Sequence, residues 1–230
     1  MAAAGFWQRC AAWTLDAAVL VPASLLLAWP WLQPAVARWG AACSAILELM
    51  GERVAAAAMA GTPPMLLASG LLHDPALREA AAALHGATWL AVAPTLAVFA
   101  ALGAVWNVAG ERSRWRGSAG KRLLGLQVTD RAGNAPTTAL SLARHLAGAA
   151  SWATLNVGHA LAAVPPDRLA LHDRLAGTRV LAVAGTALPR WAGYWLALVL
   201  LATAAATLWM VVAGAAAASA AINSGFERLP

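Results

Sequence analysis

The chain has 230 residues, of which 61 % are apolar and only 11 % charged, with a net charge of +6. A soluble domain carries about 25 % charged residues, so a water-soluble globule is excluded. The positive excess reads as basic residues held beside membrane spans by the positive-inside rule, not as a nucleic-acid surface.

In lipid the backbone must satisfy its own hydrogen bonds, so spans are helices or closed barrels. Long continuous apolar runs, rather than short alternating ones, predict helices. The first covers about residues 11–32, with Asp16 as its one charge and with Pro22 and Pro30 inside it. Asp16 and the length of the run argue for a retained anchor over a cleaved leader, whose apolar core is about 7–15 residues. Cys10 and Cys43 flank this span, and no disulfide between them is expected. Residues 34–85 form a long extramembrane connection, expected as two short helices over 36–60 and 75–84, broken by Gly61-Thr62-Pro63-Pro64. Its nearly balanced charges suit the outer side. The second span covers about residues 87–109.

A basic segment follows over residues 111–122, then Leu123 to Asp130 and a turn-forming Asp130-Arg131-Ala132-Gly133-Asn134. Residues 142–164 are apolar but carry Arg144, His145, Asn156 and His159, and Pro165-Pro166 ends them. A second basic segment runs over 167–179, and the last span covers 191–222. Of the sixteen Lys and Arg, eleven lie from Arg112 to Arg190. If 142–164 crosses once, the two basic segments fall on opposite sides. If it enters and returns, or lies in the interface, both stay inside, and residues 126–129 and 179–183 are free to pair as a small sheet. The expected fold is an all-α polytopic membrane protein. It has three transmembrane helices, one re-entrant or spanning helical segment, and a small β pairing at the cytoplasmic face. Residues 1–183 form the membrane domain, and 184–230 append a further helix and tail.

Three ordered motifs stand out: Phe6-Trp7-Gln8-Arg9 leading to Asp16, Ser118-Ala119-Gly120-Lys121-Arg122-Leu123-Leu124-Gly125 followed by Asp130 and Gly133, and Leu171-His172-Asp173-Arg174-Leu175-Ala176-Gly177-Thr178-Arg179. Together they resemble the RDD family of membrane proteins, named for one arginine and two aspartates. By motif position these are Arg9, Asp16 and Asp173. The resemblance implies the membrane fold and an activity in transport, with cation/proton antiport proposed for some members. The chain departs from the pattern at Ala119, where proline is common, in its long 34–85 connection, and in its last span.

Asp16 lies seven residues, roughly 10 Å, further along the helix than Arg9. Arg9 snorkels to the headgroups, whereas the short Asp16 side chain does not. A carboxylate at that depth costs roughly 2.5–3.5 kcal/mol on insertion scales unless paired or protonated. It is therefore either a proton or cation carrier or a lock that fixes helix packing. Lys121, Arg122, Arg144 and Arg174 are its candidate partners, with His172 beside Asp173. Asp173 reads as a cap for a short helix ending at Gly177, or as the partner of a loop arginine. His145 and His159, four turns apart on one helix, read as polar core residues. Arg112, Arg114 and Arg116, with Trp115 as headgroup anchor, form a candidate anionic-lipid site; Trp7, Trp13, Trp29, Trp31, Trp39, Trp106, Trp191 and Trp195 with it form an interfacial belt, and Trp89 and Trp152 belong either to that belt or to core packing. Gly117-Ser118-Ala119-Gly120-Lys121 lacks the spacing of a phosphate loop. No cofactor, metal site or nucleophile–base set is expected, and so no enzyme.

Two functions fit. One is a proton-coupled cation or small-solute transporter, with Asp16 as carrier, Arg9 setting its field and Asp173 closing a gate, working as a homo-oligomer. The other is a non-catalytic accessory subunit of a larger membrane complex. The expected location is a bacterial cytoplasmic (inner) membrane with the N-terminus inside.

Overall fold

Alanine and leucine cost little to hold in a helix, and here they carry helices further than the apolar runs alone suggest. The computed structural model describes residues 2–153, 156–183, 185 and 187–228. In it, α1 spans Phe6–Met59, 54 residues. Pro22, Pro30 and Pro34 lie within α1; each deletes one N–H donor while the rest of the ladder persists. The helix expected over 36–60 is thus a continuation of the first span and not a separate element. After a turn at Gly61 (φ 62°) comes α2, Pro64–His73. Then α3, Pro75–Arg112, joins the expected 75–84 helix to the second span in one piece. At the far end lies α8, Arg190–Glu227. Three helices, α1, α3 and α8, are long and apolar enough to cross a membrane.

Between α3 and α8 the elements are short. They are α4 (Ala119–Leu123), β2 (Leu126–Asp130), α5 (Thr138–Ala153), α6 (Val157–Ala160), α7 (Leu171–Ala176) and β3 (Thr178–Ala182), with β1 (Ala2–Ala3) at the chain start. Strands β2 and β3 pair antiparallel, Leu126 opposite Ala182 and Asp130 opposite Thr178, as the sequence suggested. The addition is β1, which takes the other edge of β3 with Ala2 opposite Ala182. The sheet therefore gathers the start of α1, the segment after α3 and the segment before α8 at one place. These three helix ends lie on one side of any bilayer the helices cross.

Residues 142–164 do not form one helix. Helix α5 ends at Ala153, Asn156 adopts a left-handed conformation (φ 66°) and α6 starts at Val157; Thr154 and Leu155 of the segment lie outside the described residues. The 16 residues of α5 fall short of the ~20 that a crossing needs.

The chain divides into two compact units, one of Met1–Ser24 with Val98–Leu201, the other of Leu25–Ala97 with Ala202–Pro230. The first holds a small core of Ala4, Ala11, Ala12, Leu124, Leu126, Val128, Val180, Ala182 and Ala192. In the second, α1 and α8 meet backbone to backbone, and a Cβ added at Gly51 would lie 2.1 Å from the Ala221 carbonyl oxygen. Such small-residue contacts are what helix packing in lipid relies on. Arg53 pairs with Asp74 at 2.8 Å and Arg228 with Glu52 at 3.1 Å in the same unit.

Candidate functional site

The first unit brings the charged residues of the motifs into one buried group. Helix α7 begins at Leu171, and Asp173 sits where a carboxylate caps a helix start; its Oδ2 accepts the Ala170 N–H at 3.0 Å. Gly177, with φ 64°, ends α7 and turns the chain into β3, a conformation that an L side chain rarely adopts. Asp173 is fully buried, so its charge needs partners. Arg9 Nη1, on the first turn of α1, donates to Oδ2 at 2.5 Å, and Arg144 Nη1, on α5, donates to Oδ1. Arg9 Nη2 also reaches the Arg168 carbonyl at 2.8 Å, and Arg144 reaches Thr178 Oγ1 at 2.8 Å. Burial by itself would push the Asp173 carboxyl up, but the Arg144 and Arg9 guanidiniums outweigh it. They hold the carboxyl well below the usual carboxylate range.

The group extends through Glu111, at the end of α3 and 1 % exposed, whose Oε1 lies 3.1 Å from Lys121 Nζ and 3.4 Å from Arg144 Nε. Lys121 also donates to Asn107 Oδ1 at 3.0 Å. Three cations and two carboxylates thus alternate in a chain from Arg9 to Lys121. His172 adjoins it. Arg144 Nη2, which only donates, lies 3.2 Å from His172 Nε2, so that nitrogen accepts and the imidazole proton sits on Nδ1. Burial, then the Arg144 charge, pushes the His172 imidazole down to about 2, and the ring stays neutral. The His159 ring lies 5.1 Å away, centre to centre.

Asp16 forms a separate site. Its Oδ1 accepts from Trp106 Nε1 at 2.9 Å and from the Gly120 N–H at 2.8 Å, and its Oδ2 accepts from Ser118 Oγ at 2.5 Å. None of Lys121, Arg122, Arg144 or Arg174 is among its described partners. Arg144 goes to Asp173, Lys121 to Glu111 and Asn107, and Arg122 stacks over Trp115 with its Cζ 3.6 Å from the ring centre. All three donors are uncharged, and together they tie α1 to α3 and α4. Hydrogen bonds to a charged group contribute roughly 1.5–3 kcal/mol each, so the cost of placing Asp16 at depth is offset locally. Gly120 is required here, because a Cβ would lie 2.1 Å from the Ala12 carbonyl oxygen.

Arg9 and Asp173 are brought together, while Arg9 and Asp16 are not, in keeping with their separation along α1. His145 and His159 do not share a helix; His145 sits on α5 with Nε2 3.0 Å from the Ala100 carbonyl oxygen, and His159 sits on α6. Arg112 and Arg116 donate to the carbonyls of Pro136 and Gly133, and Arg114 flanks the Trp115 ring at 5.4 Å. Three contributors were not singled out by sequence reasoning. Glu111 is a lone acid closing an apolar span inside a basic segment, a signal that was there to be used. Trp106 was placed in the interfacial belt but donates to Asp16. Gln8 is buried, accepts from the Gly5 N–H at 3.0 Å and donates to the Gly185 and Ala187 carbonyls at 3.1 and 3.2 Å. No set of three His, Cys, Asp or Glu among the described residues is placed to hold a metal ion.

Between these two sites lies a cavity of about 640 Å³, bordered by Arg9, Asp16, Lys121, Arg144, His159 and His172 on its polar side and by apolar residues of α1, α5, α6 and α8 elsewhere. A sequence model of the RDD family matches residues 3–177. Neither a curated protein nor a solved structure matches the chain.

Proposed function

Since the chain belongs to the RDD family and is an integral membrane protein, we propose that it is a small transport protein whose working part is the cavity of the first unit. The observation that carries this reading is the placement of that cavity. It lies against a buried alternation of charge to which the ends of two helices able to cross a bilayer contribute Arg9 and Glu111, and the short α4, α5 and α7 contribute Lys121, Arg144 and Asp173; buried ionisable groups of membrane proteins mark solute and ion paths. In this reading Asp16 is an anchor and not the carrier, because both its oxygens are already held by neutral donors from α3 and α4. Arg9 and Asp173 form the contact that opens and closes. The eleven basic residues from Arg112 to Arg190 support, by the positive-inside rule, a reading in which the sheet side and the N-terminus face the cytoplasm of a bacterial cell across its cytoplasmic membrane.

The test is ion- or solute-driven pH change in proteoliposomes of the purified chain, with Na⁺, K⁺ and Li⁺ supplied separately. It compares wild type with Val157→Trp, which fills the cavity, and with Asp16→Asn. Flux that is lost in the filled variant supports the reading. No flux from folded, inserted wild type overturns it. Flux lost in a fully stable Asp16→Asn protein would restore Asp16 as carrier.

A second reading, an accessory subunit, draws on α8, whose most apolar stretch has none of its residues buried within the chain. Its Gly- and Ala-rich residues 213–221 allow close approach by a partner helix or a second copy. Recovery of one stoichiometric membrane partner in mild detergent, with no flux, would favour it.

A further inference from the structure

The wall of the cavity carries charge of one sign more than the other. Arg9, Lys121 and Arg144 border it, whereas the carboxylates that balance them, Glu111 and Asp173, are not among its described lining residues. Asp16 is the one acid in that described wall, and its two oxygens are already engaged by Trp106, Ser118 and Gly120. The polar side also holds donors without acceptors. Arg9 Nε and His172 Nδ1 are buried and have no partner among the described residues, and both are N–H groups, the second because Arg144 fixes the tautomer. His159 Nδ1 beside them is likewise unpartnered. These atoms have almost no accessible surface and lie behind the wall, so the cationic side chains that border the cavity, Arg9, Lys121 and Arg144, are what an occupant meets on its polar side.

The rest of the wall is apolar. Trp13 lies one to two turns inside α1, Leu196 and Leu200 two to three turns inside α8, and Trp152 and Val157 face them from α5 and α6. Trp13, Trp152, Val157 and Leu200 are also exposed on the outer surface of the unit, so the apolar end of the cavity opens where these helices would meet acyl chains. A volume of about 640 Å³ falls within the ~300–1,000 Å³ that holds a drug-sized ligand, which favours one acyl chain over two.

We propose that this cavity binds a single-chain amphiphile with an anionic headgroup, the headgroup lying against Arg9, Lys121 and Arg144, and the chain lying along Trp13, Trp152, Leu196 and Leu200. The ligand enters sideways from the cytoplasmic leaflet. This names the substrate class of the transport reading above and rests on the cavity being its working site.

Binding is read by native mass spectrometry of the full chain released from detergent micelles, titrated separately with oleate, oleoyl lysophosphatidate and oleyl alcohol. One saturable adduct with either anion, at least tenfold tighter than with the uncharged alcohol, supports the proposal, and the anion preferred identifies the headgroup as carboxylate or phosphate. Lys121→Met keeps the side chain's length and removes its charge; it weakens the anion by about tenfold and leaves the alcohol unchanged. Val157→Trp, at a position with outward exposure, abolishes both. Equal binding of alcohol and anions, an unchanged affinity in Val157→Trp, or no saturable adduct with a folded wild type would overturn it. Binding without flux in proteoliposomes removes the transport reading and leaves this one; flux without binding does the reverse.

Discussion

Replacing Gly120 with alanine is the sharpest probe of the Asp16 anchor. The added Cβ would sit 2.1 Å from the Ala12 carbonyl oxygen, 3.0 Å from its carbon and 3.1 Å from Asp16 Cγ. The closest of these is backbone on backbone, so no side chain can rotate away, and α4 must retreat from α1 by about 1 Å to restore ordinary contact. The Gly120 N–H to Asp16 bond, 2.8 Å long, is then too long to count as a hydrogen bond, and the Ser118 bond at 2.5 Å stretches with it. Overpacking costs about 1–3 kcal/mol, and losing a hydrogen bond to a buried charge adds about 1.5–3 kcal/mol. The expected destabilisation is thus roughly 3–6 kcal/mol. The assay is equilibrium unfolding in mixed micelles, with Gly148→Ala as control, since nothing lies within 4 Å of a Cβ at Gly148 and alanine is the better helix former by about 0.5–1 kcal/mol. A Gly120→Ala protein within about 0.5 kcal/mol of its control would refute the close approach and, with it, the anchor.

Asp173→Asn leaves Arg9 and Arg144 buried beside a neutral amide, and breaking a buried pair costs about 3–5 kcal/mol; the loss is read from the melting temperature in detergent, and a shift below 2 °C contradicts the network. Ser118→Ala removes one of three donors to Asp16 and should cost about 1.5–3 kcal/mol, with the loss mostly absent in an Asp16→Asn background; additive losses in that double-mutant cycle would show that the two side chains do not interact. His172, faced by Arg144 from α5, His159 from α6, Arg9 from α1 and Asp173 on its own helix, has a folded pKa of about 2 against an ordinary 6.5. The unfolded chain therefore binds the extra proton between those values. The stability contributed by neutral His172 is complete above about pH 6.5 and falls below it by at most about 1.4 kcal/mol per unit. Asp173, whose folded pKa is depressed, contributes above its ordinary 3.8 and loses this only as pH falls below that value, so it leaves the pH 5–7 range flat. Melting temperatures from pH 7 to 5 should slope in wild type and slope less in His172→Gln, where His159, also lowered by burial, still contributes; parallel slopes would rule out a buried neutral imidazole at His172.

Much of the fold was legible because lipid imposes strict rules. Uncharged runs marked the three crossing helices, and positive-inside logic led to a pairing of residues 126–129 with 179–183. What escaped notice was governed by features with no local signature. Two alanines at positions 2 and 3 show no alternation, so β1 was invisible. The apolar run ends near residue 32 and predicts a separate helix over 36–60, yet the backbone carries through Pro30 and Pro34 to Met59. At the site, Arg9 and Asp173 were named from motifs, but spacing along α1 said nothing of Arg9 reaching Asp173, because that contact depends on the sheet. Cationic partners were sought for Asp16 on charge alone; the three neutral donors include a backbone N–H, which every residue but proline owns.

The contact between Arg9 and Asp173 joins positions 164 apart. At synthesis rates of about 5–20 residues per second, Asp173 is made roughly 6–23 s after Met59, the last residue of α1. For about the first half of that interval Asp16 sits in the nascent helix without Ser118 or Gly120, which follow it by 102 and 104 positions. The first helix is thus inserted as an unfinished part, its arginine solvated by headgroups and its aspartate unsheltered. Closure waits on the last element before α8. A chain stopped before α4 carries both charges without their partners into the bilayer, which gives membrane quality control a clear mark by which to distinguish an incomplete molecule from a finished one.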